Sequence, residues 1–220
     1  KWVLHNGARQ LTWKLLVMNA DSKVKPLERG RDKVKTALIT AACEMLAESG
    51  PNAMSVRNVA TRAGVNHGQV HHYFGGKEGL IEAAAAQLAA EHYANAQLRA
   101  SGSPVPKPLT LSEDSEYLQT VVRLVLDGRL DVAVQEIESG QSVPVNARRA
   151  LMGNYPDGEV PLELKARFAV VLATELGWAA LESFIMRLAD VDEKEQASVR
   201  EYARVITSAL VNDVPQFREE

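Results

Sequence analysis

Apolar residues recur at intervals of three and four along most of the chain, the spacing that predicts amphipathic α-helices. The clearest pattern spans residues 31–48, and Ser49-Gly50-Pro51 follows it with glycine and proline in the positions that end a helix. Valine-rich runs bounded by turns, which would predict strands, are missing from the sequence. We therefore predict an all-α fold. The apolar positions of this first pattern are Val34, Leu38, Ala41, Ala42, Met45 and Leu46.

Similar patterns predict further helices on both sides of a break. The three prolines in residues 101–110 predict the break itself. Asp192 and Glu195 have the spacing of a capping box, which predicts that the last helix begins there. The further predicted helices lie at about 56–63, 67–73, 77–99, 113–127, 130–139, 146–152, 162–188 and 193–212.

Two features of the composition limit the kind of protein this is. Cys43 is the single cysteine, so an internal disulfide framework is excluded, and its place in the first apolar pattern predicts a buried small hydrophobe. No run approaches about 18 uninterrupted apolar residues, and no small-residue cleavage site follows the apolar stretch at 11–18. We therefore expect a cytoplasmic protein without a membrane span.

Charge is unevenly distributed along the chain. Residues 23–77 carry nine basic and four acidic residues, whereas residues 78–220 carry thirteen basic and twenty-three acidic ones. This asymmetry predicts that the front of the molecule meets a polyanion and that the body does not. The basic residues at 23–35 could form an arm that enters a DNA minor groove or simply a solvated surface, and both remain open. Residues 1–29 are interpreted as an N-terminal arm or an extra helix.

The short helix predicted at 67–73 has an unusually complete set of start signals. Asn66 is a good N-cap, and Gln69 lies where its amide could complete a capping box. Val65 and Val70 have the spacing of a hydrophobic staple. Because about seven residues are too few to remain helical alone, we expect Val70 and Phe74 to anchor this helix by packing inward.

The opposite face of this short helix has no side chain at Gly68 and carries imidazoles and an amide around it. Glycine within a helix costs about 1 kcal/mol relative to alanine, which the close approach of another surface would justify. Two helices joined by a tight turn at Gly64-Val65, the second polar on its outer face, form a helix-turn-helix suited to the DNA major groove. Gln69 could read an adenine edge or cap its own helix, and the sequence leaves both open.

Residues 55–83, SVRNVATRAGVNHGQVHHYFGGKEGLIEA, resemble the DNA-binding segment of the TetR family, the tetracycline-repressor-like regulators. The most specific part of the match is Tyr73-Phe74 followed, after a turn, by Lys77-Glu78 and Leu80. The resemblance implies a homodimer that represses transcription from operator DNA until a small-molecule effector releases it. It also implies an N-terminal three-helix helix-turn-helix DNA-binding domain at 30–77, joined to a C-terminal helical ligand-binding and dimerisation domain at 78–220.

The positions that match the family's motif imply which residues of this chain contact DNA. The resemblance implies that Ser55 and Arg57 contact the DNA backbone and that Tyr73 and Lys77 reach phosphates. Neutral imidazoles at two positions, and glycine at 76, depart from the family's usual residues. Imidazole attracts phosphate less than lysine does, so these contacts are expected to strengthen below pH about 6.5. The implied reading surface consists of His67, Gly68, Gln69, His71 and His72.

The residues themselves leave two other functions open. His67 and His71 lie four residues apart, a spacing that can chelate, so a metal-binding protein that uses them with His72 is one alternative. No carboxylate or cysteine joins that face. A helical adaptor that binds other proteins, with a vestigial helix-turn-helix, is the other alternative. No serine, cysteine or aspartate is placed to partner the histidines, so we predict no catalytic residues, no enzyme activity and no cofactor.

The last two helices and the body around them predict two further interactions. The apolar surfaces of 162–188 and 193–212 exceed what one domain interior needs, which predicts a four-helix bundle made by two chains. The helices of the body are also expected to enclose an effector pocket, whose ligand the sequence does not identify. Its candidate lining residues are Tyr117, Met152, Tyr155, Phe168, Thr174 and Trp178.

Overall fold

The structure, a computed structural model, describes residues 26–103, 105–151, 155 and 160–212. Residues 1–25, which hold most of the predicted arm, and Met152 of the predicted pocket lie outside the described residues. The described residues form α-helices and one 3-10 helix without a strand, which confirms the predicted fold class. The helices are α1 (Pro26–Ala53), α2 (Val56–Ala63), α3 (Gly68–Phe74), α4 (Lys77–Ala100), the 3-10 helix η1 (Leu111–Asp114), α5 (Ser115–Leu126), α6 (Leu130–Ala133), α7 (Gln135–Glu138), α8 (Val143–Leu151), α9 (Leu162–Leu188) and α10 (Gln196–Asn212).

Helix α1 is interrupted where the sequence predicted its end. Gly50 has φ 77° and ψ 174°, which lie outside the helical region. Glycine adopts positive φ readily because it has no Cβ, whereas other residues are strained there. Pro51 begins one further helical turn that ends at Ala53. The first predicted helix is therefore confirmed, although it begins at Pro26, before its predicted start, and has an additional turn beyond its predicted end.

The helix-turn-helix segment and the body share one apolar core. Aliphatic side chains from α1 to α4 meet side chains from α5 and α6 in a single buried cluster. Full burial of such a side chain contributes on the order of 2 kcal/mol. The position of the short helices α2 and α3 is therefore tied to the body through α1, α4 and α5. Central members of the cluster are Leu38, Leu46, Val59, Val70, Leu80, Ile81 and Leu124.

Cys43 lies inside this core, as predicted. Its Sγ is 3.5 Å from the carbonyl oxygen of Ala84 in α4. Burial, with smaller contributions from Glu91 and Glu116, raises the pKa of the thiol to about 12. The thiol is therefore protonated at neutral pH and behaves as a small apolar group.

A buried carboxylate fastens the C-terminal half of α4 to the start of α5. Asp114 accepts hydrogen bonds from Asn95 at 3.0 Å and from the Arg99 guanidinium, and its Oδ2 is 2.7 Å from His92 Nδ1. The His92 ring stacks on the Tyr117 ring with centroids 4.1 Å apart. Burial opposes ionisation of Asp114, but the hydrogen bonds from His92, Arg99 and Asn95 outweigh it and lower its pKa.

Replacing Asp114 with Asn should destabilise the protein at neutral pH by about 1–3 kcal/mol, because the surrounding donors lose the negative charge and one of the two acceptor oxygens. The lowered pKa means that the carboxylate stabilises the fold above about pH 4, its ordinary unfolded value, and loses that effect as the pH falls further. Urea unfolding at pH 7 and in steps down to pH 3 measures both effects. Asp114→Asn should flatten the acid limb, whereas Glu193→Gln, at an exposed carboxylate between α9 and α10, should leave it unchanged. An unaltered limb in Asp114→Asn would contradict this role.

The helices α9 and α10 pack against each other and expose many apolar side chains. Leu162 is 81% exposed, Phe184 59% and Ile206 63%. By length and composition alone, α9 could cross a membrane, which corrects the expectation that no segment qualifies. Helices that pack in interfaces between chains have the same composition, so one such helix is weak evidence for a membrane. One half of the predicted capping box before α10 is present, because Glu195 Oε2 accepts from the Asp192 backbone N–H at 3.1 Å. The helix itself begins at Gln196, a few residues after its predicted start.

Candidate nucleic-acid interface

The two helices of the predicted helix-turn-helix are held by local hydrogen bonds at the turn. Ser55 has extended backbone before α2, and its Oγ accepts from Asn58 N at 3.1 Å. Gly64 follows α2 with φ 67°, and its N–H bonds back to α2 carbonyls. Val65 N donates to the Ala60 carbonyl oxygen at 3.0 Å. A left-handed glycine closes the turn because the reversal needs positive φ there.

The start of α3 follows the predicted capping, with one difference. Asn66 Oδ1 accepts from Gly68 N at 2.8 Å, so Asn66 caps the helix. Among the described residues, no hydrogen bond engages the side-chain amide of Gln69, whose backbone N–H donates to the Asn66 carbonyl oxygen at 3.0 Å. The capping box therefore lacks its second half, and the amide is available for another partner. Sequence reasoning left this competition open.

One face of α3 is buried and the other faces solvent. Val70 is fully buried, and Val65, Tyr73 and Phe74 pack on the same core, as the inward stripe predicted. The whole outer surface of a seven-residue helix is thus free while its inner surface anchors it. The exposed residues are His67, Gly68, His71 and His72, with Gln69 partly exposed at their edge.

The turn between α3 and α4 is built on three glycines. Gly75 and Gly76 have φ 73° and 139°, values that side chains rarely adopt. At Gly79, a Cβ would lie 2.1 Å from the Phe74 carbonyl oxygen, so the end of α3 touches the first turn of α4 there. No residue with a side chain fits such an approach. Sequence reasoning missed Gly79, although its place two residues after Lys77 in the matched motif was a signal.

Cations beside α3 are left without acidic partners. In the part of the chain that the structure describes, neither Arg57 on α2 nor Lys77 at the start of α4 forms an ion pair. Glu78, which follows Lys77 in the sequence, is paired with Arg129 at 2.6 Å. Arg57 is exposed and Lys77 is half-buried. The edge of α3 therefore presents positive charge that the protein itself does not neutralise.

The histidines of α3 do not meet further metal-ligating groups within the described ranges. No group of three or more His, Cys, Asp or Glu side chains there could hold a metal ion. The His72 ring lies edge-on to Tyr73, with centroids 4.8 Å apart. The three imidazoles are therefore spread over a surface and do not converge on a point.

A second candidate site lies in the body, between α4, α5, α8 and α9. This body cavity has a volume of about 250 Å³, and a neighbouring cavity of about 300 Å³ shares Tyr117 and Glu136 with it. Tyr117 and Phe168 of the predicted pocket line the body cavity. Its wall also includes two residues that sequence reasoning missed, Glu136 and Glu175. Glu175 is a lone acidic residue within the apolar stretch of α9, and that isolation was the available signal.

Three other residues of the predicted pocket lie elsewhere. Thr174 turns its hydroxyl to the Val170 carbonyl oxygen of its own helix, at 2.9 Å. Trp178 is half-buried on α9 and Tyr155 is 43% exposed, and neither lines the body cavity. Thr174 and Trp178 lie four residues apart and therefore share one side of α9. That spacing alone does not indicate which side of α9 faces α4.

Comparisons with known proteins agree with this geometry. The sequence profile described as bacterial regulatory proteins, tetR family, matches residues 38–84. The HTH-type transcriptional repressor Rv3405c of Mycobacterium tuberculosis is 28% identical over 169 residues, which are 77% of this chain and 84% of the relative. The regulator BetI 1 of Chromohalobacter salexigens is 35% identical over 95 residues, 43% of this chain and 41% of the relative.

A solved structure extends the likeness to the fold. The crystal structure of a tetR-family transcriptional regulator from Streptomyces coelicolor has a TM-score of 0.52 at 18% identity, and the match covers 81% of this chain and 80% of that one. The site and the fold together define a helix-turn-helix protein that binds DNA. The chain is a DNA-binding transcriptional regulator whose residues 38–84 match the tetR family of bacterial regulatory proteins.

Alanine substitutions at Gly79 and Gly68 distinguish a glycine that the fold requires from one that the fold does not require. Gly79→Ala should unfold or strongly destabilise the helix-turn-helix, because its Cβ would overlap the Phe74 carbonyl oxygen. Gly68→Ala should stay within about 1 kcal/mol of wild type, since alanine favours helix and meets only Asn66 Oδ1, at 3.2 Å. Thermal unfolding followed by circular dichroism measures both variants. Equal destabilisation by the two would contradict the assigned geometry.

Proposed function

We propose that this regulator is a homodimeric, sequence-specific repressor that leaves its operator when a small molecule occupies the body cavity. The observation that carries the proposal is the exposed outer face of α3, anchored from within and flanked by Arg57 and Lys77, which form no ion pair in the described part of the chain. In this proposal residues 30–77 contact DNA and residues 78–220 dimerise and bind the effector. The protein acts in the cytoplasm by binding and carries out no catalysis.

Each exposed group on α3 has a role in this proposal. Gln69, whose side-chain amide has no hydrogen-bond partner among the residues that the structure describes, reads a base edge by paired hydrogen bonds, and Gly68 lets the DNA approach the helix backbone. The imidazoles of His67, His71 and His72 donate to bases or phosphates. Such contacts place a recognition helix in the major groove with its N-terminal residues nearest the bases.

The groups around α3 fix its orientation by contacting phosphates. Arg57 and Lys77 supply the charge, and the Tyr73 hydroxyl supplies a donor. Ser55 uses its oxygen to accept from Asn58, which leaves its hydroxyl hydrogen for a phosphate. These contacts position the helix without carrying sequence information.

Dimerisation would cover the apolar face of α9 and α10. Exposed patches of this extent are rare on monomers and mark interaction sites. Two copies joined as a four-helix bundle would place two α3 helices on one side of the assembly, as binding to two half-sites requires. The residues that would be covered include Leu181, Phe184, Leu188, Tyr202, Val205 and Ile206.

Two contacts could transmit an effector's presence to the DNA-binding domain. Arg123 of α5 donates from Nε to the Ala47 carbonyl oxygen of α1 at 3.0 Å. Arg129, just beyond α5, donates to Glu78 in the first turn of α4. Because α5 also supplies Tyr117 to the body cavity, a ligand that displaces α5 would move α1 and α4. A coupling of about 1–3 kcal/mol would change operator affinity about 5–150-fold.

Substitutions at Gln69 and Lys77 should affect DNA binding differently in kind. After selection of a bound duplex from random sequences, fluorescence anisotropy gives affinities for that duplex, for single-base variants and for random DNA. Gln69→Ala should reduce discrimination at one base position by about 1–3 kcal/mol. Lys77→Ala should weaken all duplexes alike and lower the salt slope by about 1 per protomer, because one phosphate contact is lost.

Lys194→Ala is the matched control, since Lys194 is an exposed lysine remote in sequence from the helix-turn-helix. It should leave affinity, base preference and salt slope unchanged. A change of base preference in Lys77→Ala would contradict its assignment to phosphate. Absence of any DNA binding by the wild type at low salt would refute the proposal and favour the helical adaptor.

A further inference from the structure

The charges on the wall of the body cavity are unbalanced. Most of the wall is aliphatic or aromatic, with polar groups at a few points. Two carboxylates, Glu136 and Glu175, line it, and so do the cations Arg99 and Lys107. Which of these charges are already compensated inside the protein determines what kind of ligand the cavity favours.

The positive charge of Arg99 is compensated by acidic partners. Both terminal nitrogens donate to Asp114, and the Nε, which makes no hydrogen bond within the described residues, lies 3.6 Å from Glu113. His92, which also lines the cavity, has its Nδ1 on Asp114. These groups are therefore committed to acidic partners outside the cavity wall. Lys107 is exposed, so its charge is screened by solvent.

The two carboxylates, in contrast, have no cationic partner among the described residues. Both oxygens of Glu175 accept from a single donor, the Leu109 N–H, at 2.8 and 2.9 Å. A carboxylate can accept about four hydrogen bonds, so most of this capacity is unused. Burial raises the pKa of Glu175 against the effect of that one hydrogen bond. Glu136 accepts from the Tyr117 hydroxyl at 2.6 Å and likewise lacks a cation.

We propose that the body cavity binds a small, largely apolar organic cation, with Glu175 as its counter-ion. This inference rests on the proposed function, in which the body cavity is the effector site. The aliphatic wall, together with the ring of Phe168, covers the hydrocarbon part of the ligand. The volume of about 250 Å³ restricts the ligand to a compact molecule. An anion of the same shape meets two uncompensated carboxylates and is disfavoured.

Three probes with one carbon skeleton test the proposal on the full chain. 4-Phenylbutylamine is cationic at pH 7, 4-phenylbutanol is neutral and 4-phenylbutyrate is anionic. Their affinities can be measured by ligand-observed NMR, which detects millimolar binding. The amine should bind about tenfold or more tightly than the alcohol, because only the amine pairs with a desolvated carboxylate, and the anion should bind most weakly.

Glu175→Gln keeps an acceptor for Leu109 N–H while it removes the charge. It should reduce amine affinity about tenfold and leave alcohol affinity within about twofold. Glu116→Gln is the matched control, because Glu116 is an exposed carboxylate on α5 that does not line the body cavity. It should change neither affinity.

The outcomes test separately the preference for a cation, the cavity as a ligand site and the proposed DNA binding. Equal or tighter binding of the alcohol or the anion, or unchanged amine binding in Glu175→Gln, would overturn the choice of a cation while the cavity remained a ligand site. Lack of binding by all three probes would overturn the cavity itself as a site for such molecules, and the inference with it. DNA binding without any probe is measured independently, so its failure is recognised as failure of the proposed function.

Discussion

The interface depends on how a seven-residue helix is kept in place. So short a helix is not stable alone, and α3 persists because its inner side is buried between α1, α2 and α4. Val70 is the fully buried contact, and the meeting of Phe74 with Gly79 fixes the direction in which α3 runs into α4. The side chains on the outer side remain exposed, so the histidine-rich surface can be presented to another molecule.

The same packing explains how the two parts of the chain could communicate. Leu124 of α5 lies in the core that also holds α3, so no separate hinge isolates the DNA-binding segment from the body. Arg129 joins Glu78 beside Lys77, which directs the acidic neighbour away from the proposed phosphate contact. A shift of α5 would therefore alter both the packing beneath α3 and the charge beside it. Regulation of this kind needs two arrangements of packed helices, and small displacements suffice.

Local signals in the sequence predicted most of the fold and the outer face of α3. Periodicity predicted the helices to within a few residues. Asn66 indicated the start of α3, and Gly50 indicated the end of the regular part of α1, because helix caps and positive φ depend on single residue types. The cavity wall was harder to predict. Helical spacing does not reveal which side of α9 meets α4, so Phe168 was placed but Glu175 was missed. The close approach at Gly79 also depends on the angle between two helices, which no local pattern encodes.

The central claim is that the outer face of α3 enters a groove of duplex DNA, once from each protomer. It can be tested in a Cys43→Ala background, in which single cysteines at His72 or, as a control, at the exposed Ala94 in the C-terminal half of α4 carry a DNA-cleaving phenanthroline–copper group. With His72→Cys, we predict cuts on the selected duplex at two places separated by one helical turn or a multiple of it. Ala94→Cys should give none. Equal cutting by both variants, or a single site with His72→Cys, would contradict the account.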